Sequence, residues 1–161
     1  MRKAILVVSS IPLLREVLCE ELERQDYSVA WATDIQAAIR TTSLRRTDLL
    51  LIDLDGQPAD GVRILSQIAV INPELQMVVL TRHAELQTAV LCSGVAAVAE
   101  KPIDLRGLFR LTHELITQEP KDRGRFRVVP QSTVDHQDNR QNRLGEPSSC
   151  PTEYRGWGIN E

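Results

Sequence analysis

The sequence predicts an α/β fold, a doubly wound five-stranded parallel sheet with helices on both faces, followed by a C-terminal tail. Three observations predict it. Short apolar runs alternate with amphipathic stretches of helical spacing through about residue 118. Three successive runs lead into a polar or charged residue: Asp53, Thr81 and Lys101. Beyond residue 118 the composition turns polar and the periodicity stops.

The first strand is Ala4-Ile5-Leu6-Val7-Val8, running into Ser9-Ser10-Ile11-Pro12. After Pro12, Leu13, Leu14, Val17, Leu18 and Leu22 mark one face of a helix, with Pro in its first turn and Glu16, Glu20, Glu23 and Arg24 toward water. Tyr27 to Ala32 alternates as a strand. A helix over Ile35 to Leu44 follows, with Asp34 as N-cap. Leu49-Leu50-Leu51-Ile52-Asp53 is too short and too apolar for a helix, and is bounded by Asp48 before and by Gly56 and Pro58 after, so it reads as a buried strand. Val62 to Val70 gives the next helix, stopped by Asn72-Pro73, and Gln76 to Thr81 the fourth strand. A helix from Glu85 to Leu91 ends near Ser93-Gly94, Val95 to Ala99 forms the fifth strand, and Leu105 to Ile116 the last helix. Strands alternating with helices imply βαβ units, and this many residues make one domain, 1–118.

In a parallel sheet the carboxyl ends of all strands lie on one side, where open α/β sheets bind ligands. A carboxylate (Asp53), a hydroxyl (Thr81) and an ammonium (Lys101) should therefore converge on one crevice. Taken singly, each has an ordinary alternative: a strand-ending Asp, a hydroxyl bonded to backbone, a solvated lysine. Pro102 after Lys101 suits a tight cis turn that aims the lysine inward.

With these residues placed, residues 1–118 resemble the receiver domain of bacterial two-component response regulators, a flavodoxin-like fold. The match rests on Asp53 ending the third strand, Asp60-Gly61 opening the next helix, Thr81 ending the fourth strand, and Lys101-Pro102 after the fifth. The resemblance implies that Asp53 is the phosphoacceptor and that Thr81 and Lys101 bind the phosphoryl oxygens. It implies a histidine kinase or phosphotransfer protein as donor, a downstream protein partner, and no enzyme activity of its own.

The departures from that family are equally specific. Receiver domains usually carry two acidic residues after the first strand, which help to hold Mg²⁺; Ser9-Ser10 stands there. A hydroxyl is a poor substitute for a carboxylate with a hard cation, so at most a weak Mg²⁺ site near Asp53, Asp55 and Ser10 is expected. The residue after the threonine is normally small; here it is Arg82, a candidate gate over the crevice, able to pair with Asp53, bind an anion, or point to solvent. The aromatic switch residue usual three positions before the lysine is replaced by Val98. Two readings stay open: a phosphorylated receiver, and a pseudo-receiver that uses the same fold as a binding module without phosphotransfer.

Residues 1–118 hold 12 Lys and Arg against 15 Asp and Glu, so the net charge of −3 lies there and no basic nucleic-acid patch forms; Arg45-Arg46 is an adjacent basic pair in a loop before the third strand. Residues 119–161 are rich in Gln, Asn, Asp, Ser, Arg, Pro and Gly, which cannot bury enough surface to offset ordering, and read as a disordered or loosely docked tail. Phe126 to Val129 is the one piece able to form a short strand or dock on an edge, and Tyr154 and Trp157 are candidate anchors. The tail is too short and too weakly periodic for a helix-turn-helix, DNA-binding output domain, so a single-domain regulator, or one whose output lies in a different chain, is expected. Cys19, Cys92 and Cys150 lack metal-type spacing, and no long apolar span or signal peptide occurs, so a reduced, cytoplasmic location without membrane attachment is expected.

Overall fold

The computed structural model describes residues 1–44, 46–57, 60–118 and 127–129. Along the chain run β1 (Ala4–Val8), α1 (Pro12–Arg24), β2 (Ser28–Ala32), α2 (Ile35–Leu44), β3 (Leu49–Asp53), α3 (Gly61–Ile71), β4 (Gln76–Thr81), a 3₁₀ turn (Ala84–Leu86), α4 (Gln87–Cys92), β5 (Ala97–Glu100), α5 (Leu105–Thr117) and β6 (Arg127–Val129). The strands form one sheet in the order β2-β1-β3-β4-β5-β6, and every pair is parallel.

Side-chain alternation along each strand divides the core in two. Leu6, Val8, Leu50, Ile52, Met77, Val79 and Val98 face α2, α3 and α4, meeting Ile35, Ala38, Ile64, Leu65, Ile68 and Val90. Ile5, Val7, Leu49, Leu51, Val78, Leu80, Ala97 and Ala99 face α1 and α5, meeting Leu18, Leu22, Leu108, Leu111 and Leu115. Helices cover both faces, so β3 and β4 are buried throughout and read as unbroken apolar runs rather than alternating ones. Each fully buried leucine or isoleucine contributes about 1.5–3 kcal/mol of transfer free energy.

Most element bounds match the sequence reading to within two residues, and the differences have local causes. Asp34 caps α2, its Oδ1 accepting the Ala37 N–H at 2.8 Å. That bond is the main reason its carboxyl lies below the usual range. The fourth helix does not start at Glu85: a 3₁₀ turn comes first, closed by the Leu86 N–H donating to the His83 carbonyl. Strand β5 begins at Ala97 rather than Val95. The chain must first leave α4 through Gly94, whose φ of +89° suits glycine and whose missing side chain leaves room for Ala69.

A further difference is the sixth strand. Residues 127–129 pair with Ala97–Ala99 of β5 and extend the five-stranded sheet with a segment from beyond residue 118. Tyr154, Trp157, Cys150, Arg45 and the remainder of 119–161 lie outside the described residues.

Both described core clusters end at or before Ile116. A chain truncated after Gln118 is therefore expected to unfold cooperatively, with a loss of about 1 kcal/mol, or about 4–8 °C in Tm, from unpairing β6. Thermal unfolding followed by circular dichroism checks this; loss of the cooperative transition would show that the later segment completes the core.

Candidate functional site

The sheet brings four strand ends together. Backbone bonds at the carboxyl ends hold them in register: Ser9 N–H to the Ala32 carbonyl at 3.1 Å, Leu54 N–H to Leu80 at 2.9 Å, and Lys101 N–H to Thr81 at 2.9 Å. The Lys101–Pro102 peptide is cis. Asp53, Thr81 and Lys101, far apart in sequence, surround one small polar centre.

Asp53 is wholly buried. Its Oδ1 accepts the Lys101 ammonium at 2.8 Å and the Asp55 N–H at 3.1 Å; its Oδ2 accepts the Ser9 hydroxyl at 3.0 Å. Ser9 Oγ in turn accepts the Ile11 N–H at 3.1 Å, and the Ser9 carbonyl accepts Arg15 at 2.8 Å, which fixes the β1–α1 turn.

Asp55 occupies the middle of the site, a role that its place two residues past Asp53 only hinted at. The turn after β3 closes by the Gln57 N–H donating to the Leu54 carbonyl at 3.2 Å, with Gly56 at φ +78° in its third position, the pattern of a type II turn. A side chain at Gly56 would also meet the Ser10 hydroxyl at 2.9 Å. This turn points the Asp55 carboxylate inward, and its side chain is only 4% exposed. There it accepts the Thr81 hydroxyl at 3.1 Å, the Arg82 N–H at 3.1 Å and the Arg82 Nε at 3.3 Å, and pairs with Lys101 at 3.0 Å. Burial pushes the Asp55 carboxyl upward. The Lys101 hydrogen bond and charge, the Thr81 hydroxyl and the Arg82 N–H outweigh that push and hold it below the ordinary carboxylate range.

Several residues sit otherwise than the sequence suggested. The serine that touches Asp53 is Ser9; Ser10 is exposed, with its hydroxyl beside Gly56. The Arg82 guanidinium pairs with Asp55 rather than Asp53, and its side chain remains 65% exposed. His83 belongs to the site: its N–H donates to Thr81 Oγ1 at 3.1 Å, and its ring Nε2 lies 3.9 Å from Asp55. The signal for His83 is its place two residues past a strand-end threonine. Val98 is a core residue on the α2–α4 face.

The donor set does not suit Mg²⁺, which favours near-octahedral oxygen ligands. The hydroxyls after β1 are neutral, that of Ser9 gives its hydrogen to Asp53, and the carboxylates are already paired, Asp53 with Lys101 and Asp55 with Lys101 and Arg82. Among the described residues no three acidic, His or Cys side chains converge as metal ligands. A depression of about 420 Å³ lies at the opposite end of the strands, lined by Lys3, Arg46, Asp48 and Pro73 among others. Its two cations already flank Asp48, which lies 3.6 Å from Lys3 and 3.7 Å from Arg46.

Comparison with known proteins gives a consistent result. The family described as the response regulator receiver domain matches residues 5–113. The chain is similar to the transcriptional regulatory protein GlrR of Escherichia coli (strain K12), 26% identical over 135 residues, covering 81% of this chain and 30% of that protein. It therefore spans under a third of the length of that regulator. It is also similar to sporulation initiation phosphotransferase F of Bacillus subtilis (strain 168), 26% identical over 107 residues, covering 65% of this chain and 86% of the relative. Among solved structures, a two-component response regulator from Clostridium difficile superposes with a TM-score of 0.68 at 19% identity, covering 73% of this chain and 98% of the other.

The lowered Asp55 carboxyl sets a pH dependence. A depressed folded-state pKa contributes stability that is present above the unfolded value, about 4, and is lost as pH falls through the folded one. Asp55→Asn is expected to be less stable than wild type at neutral pH, with the gap closing below about pH 4. Urea unfolding at a series of pH values checks this; a constant gap would refute it.

Proposed function

The chain belongs to the response regulator receiver domain family, and on that premise we propose that it accepts a phosphoryl group on Asp53 and passes the signal on through protein–protein contacts. The observation that carries this reading is the Asp53 carboxylate at the end of β3, 2.8 Å from the Lys101 ammonium, with the Thr81 hydroxyl on the neighbouring strand. An Asp53 oxygen attacks the donor phosphorus. The new P–O bond forms as the donor's P–N or P–O bond breaks, and that bonding pair leaves with the donor. The product carries roughly two negative charges and strong acceptor oxygens. Lys101, Thr81 Oγ1 and the Arg82 N–H are the donors that answer them. Movement of these groups is what a partner surface would read.

The donor in this reading is a histidine kinase or a phosphotransfer protein, and the recipient a downstream protein. Arg82, exposed and held over Asp55, is the proposed gate at the entrance. Among the described residues no helix is long and apolar enough to cross a membrane. A second reading, a pseudo-receiver that binds without phosphotransfer, is favoured by the full burial of Asp53 and by Ser9-Ser10.

Intact-mass measurement after incubation with acetyl phosphate and Mg²⁺ separates the two. Wild type is expected to gain one phosphoryl group and Asp53→Asn none. A chain that stays unlabelled on prolonged incubation, where an ordinary receiver reacts, would overturn the first reading. Calorimetric titration addresses the cation: Mg²⁺ affinity is expected to be weak in wild type and about tenfold tighter in Ser10→Asp, which adds a charged oxygen ligand. Tight binding by wild type, unchanged by that substitution, would overturn this.

A further inference from the structure

The site balances its charges without any ligand. Two carboxylates, Asp53 and Asp55, stand against two cations, Lys101 and Arg82. Asp55 holds every donor that a phosphoryl group on Asp53 would need: the Thr81 hydroxyl at 3.1 Å, the Arg82 N–H at 3.1 Å and the Lys101 ammonium at 3.0 Å. These donors come from two strand ends and converge on one carboxylate that is almost entirely buried. A phosphoryl group would replace the single charge of Asp53 by about two. With Asp55 still in place, about three negative charges would then face two positive ones at close range in a partly desolvated site.

We propose that Asp55 is a tethered anion that fills the phosphoryl pocket of the resting chain, and that phosphorylation of Asp53 requires it to leave. The inference rests on the receiver reading above and adds its regulation: the phosphoryl group and the Asp55 carboxylate are alternative occupants of one set of donors. Two features make the exchange feasible. Asp55 sits on a four-residue turn, Leu54 to Gln57, beyond the last residue of β3, so its side chain can swing outward while the Leu54 N–H keeps its bond to the Leu80 carbonyl. One of its partners, the Arg82 guanidinium, is largely exposed and is a weak clamp. The resting pocket is thus satisfied, and the acceptor is slow until the turn opens.

The test uses the full chain as wild type, Asp55→Asn and Asp55→Ala, each checked for cooperative thermal unfolding. Two quantities are measured: the rate of Asp53 labelling by acetyl phosphate, read by intact mass, and the binding of inorganic phosphate, read by calorimetry. Removing the competing charge is expected to speed labelling and tighten phosphate binding by about tenfold or more in Asp55→Ala. The isosteric Asp55→Asn, which keeps the fold's shape and still accepts hydrogen bonds, is expected to fall between. Adding Thr81→Ala to Asp55→Ala should abolish the gain in phosphate binding. Phosphate binding decides the matter: unchanged affinity in both Asp55 variants overturns the proposal, whatever the labelling rate. If no form is labelled but phosphate binds more tightly once Asp55 is removed, the phosphoacceptor reading falls and the tethered anion stands. If wild type is labelled and neither quantity responds to Asp55, the phosphoacceptor reading stands and the tethered anion falls.

Discussion

One ammonium group makes the centre of this molecule tenable. Asp53 and Asp55 are both buried, only two residues apart, and like charges so placed raise each other's energy. Lys101 lies within 3.0 Å of both carboxylates, and its own side chain is only 16% exposed. Breaking such an arrangement by removing one partner costs about 3–5 kcal/mol, because the charge left behind has no water to turn to. The other polar contacts at the strand ends, from Ser9, Thr81 and the Arg82 N–H, complete what Lys101 begins.

The fold exists, from this standpoint, to deliver Lys101 to that position. Parallel pairing of β3, β4 and β5 puts their carboxyl ends on one side, and the Lys101 N–H bonds the Thr81 carbonyl before the chain turns away. Both faces of the sheet are packed by helices, so the polar centre lies at the end of an apolar core, with the exposed side chains of Arg82 and His83 beside it. In that setting charge pairs are screened less than on the surface, which is why the count of positive and negative groups matters there.

How much of this was legible in the sequence follows from range. Strand and helix patterns are local: Leu49–Asp53 declares itself by a short apolar run between turn residues, and Pro12–Arg24 by helical periodicity. The convergence of Asp53, Thr81 and Lys101 follows from one topological rule, that parallel strands share an end. The partners of Asp55 were not legible, because they depend on the direction of a side chain in a turn. Gly56 indicates a special backbone there, but not which way its neighbour points. The choice of Ser9 over Ser10 as the partner of Asp53 is also a matter of which way the first residue past a strand points. The sixth strand was visible only as a capacity of Phe126 to Val129, since nothing local tells a short apolar segment which sheet edge will receive it.

The turn that carries Asp55 has a second attachment. Gln57, its last residue, accepts the Ile35 N–H through Oε1 at 3.1 Å. Ile35 is the first residue of α2, where backbone donors have no partner within the helix and must find one elsewhere. The turn and the helix start are therefore joined through a single amide. Any displacement of the turn leaves that donor to water and lets the first turn of α2 fray. Amide hydrogen exchange at Ile35 thus reports on the state of a carboxylate twenty positions away in sequence, on a different element of the fold.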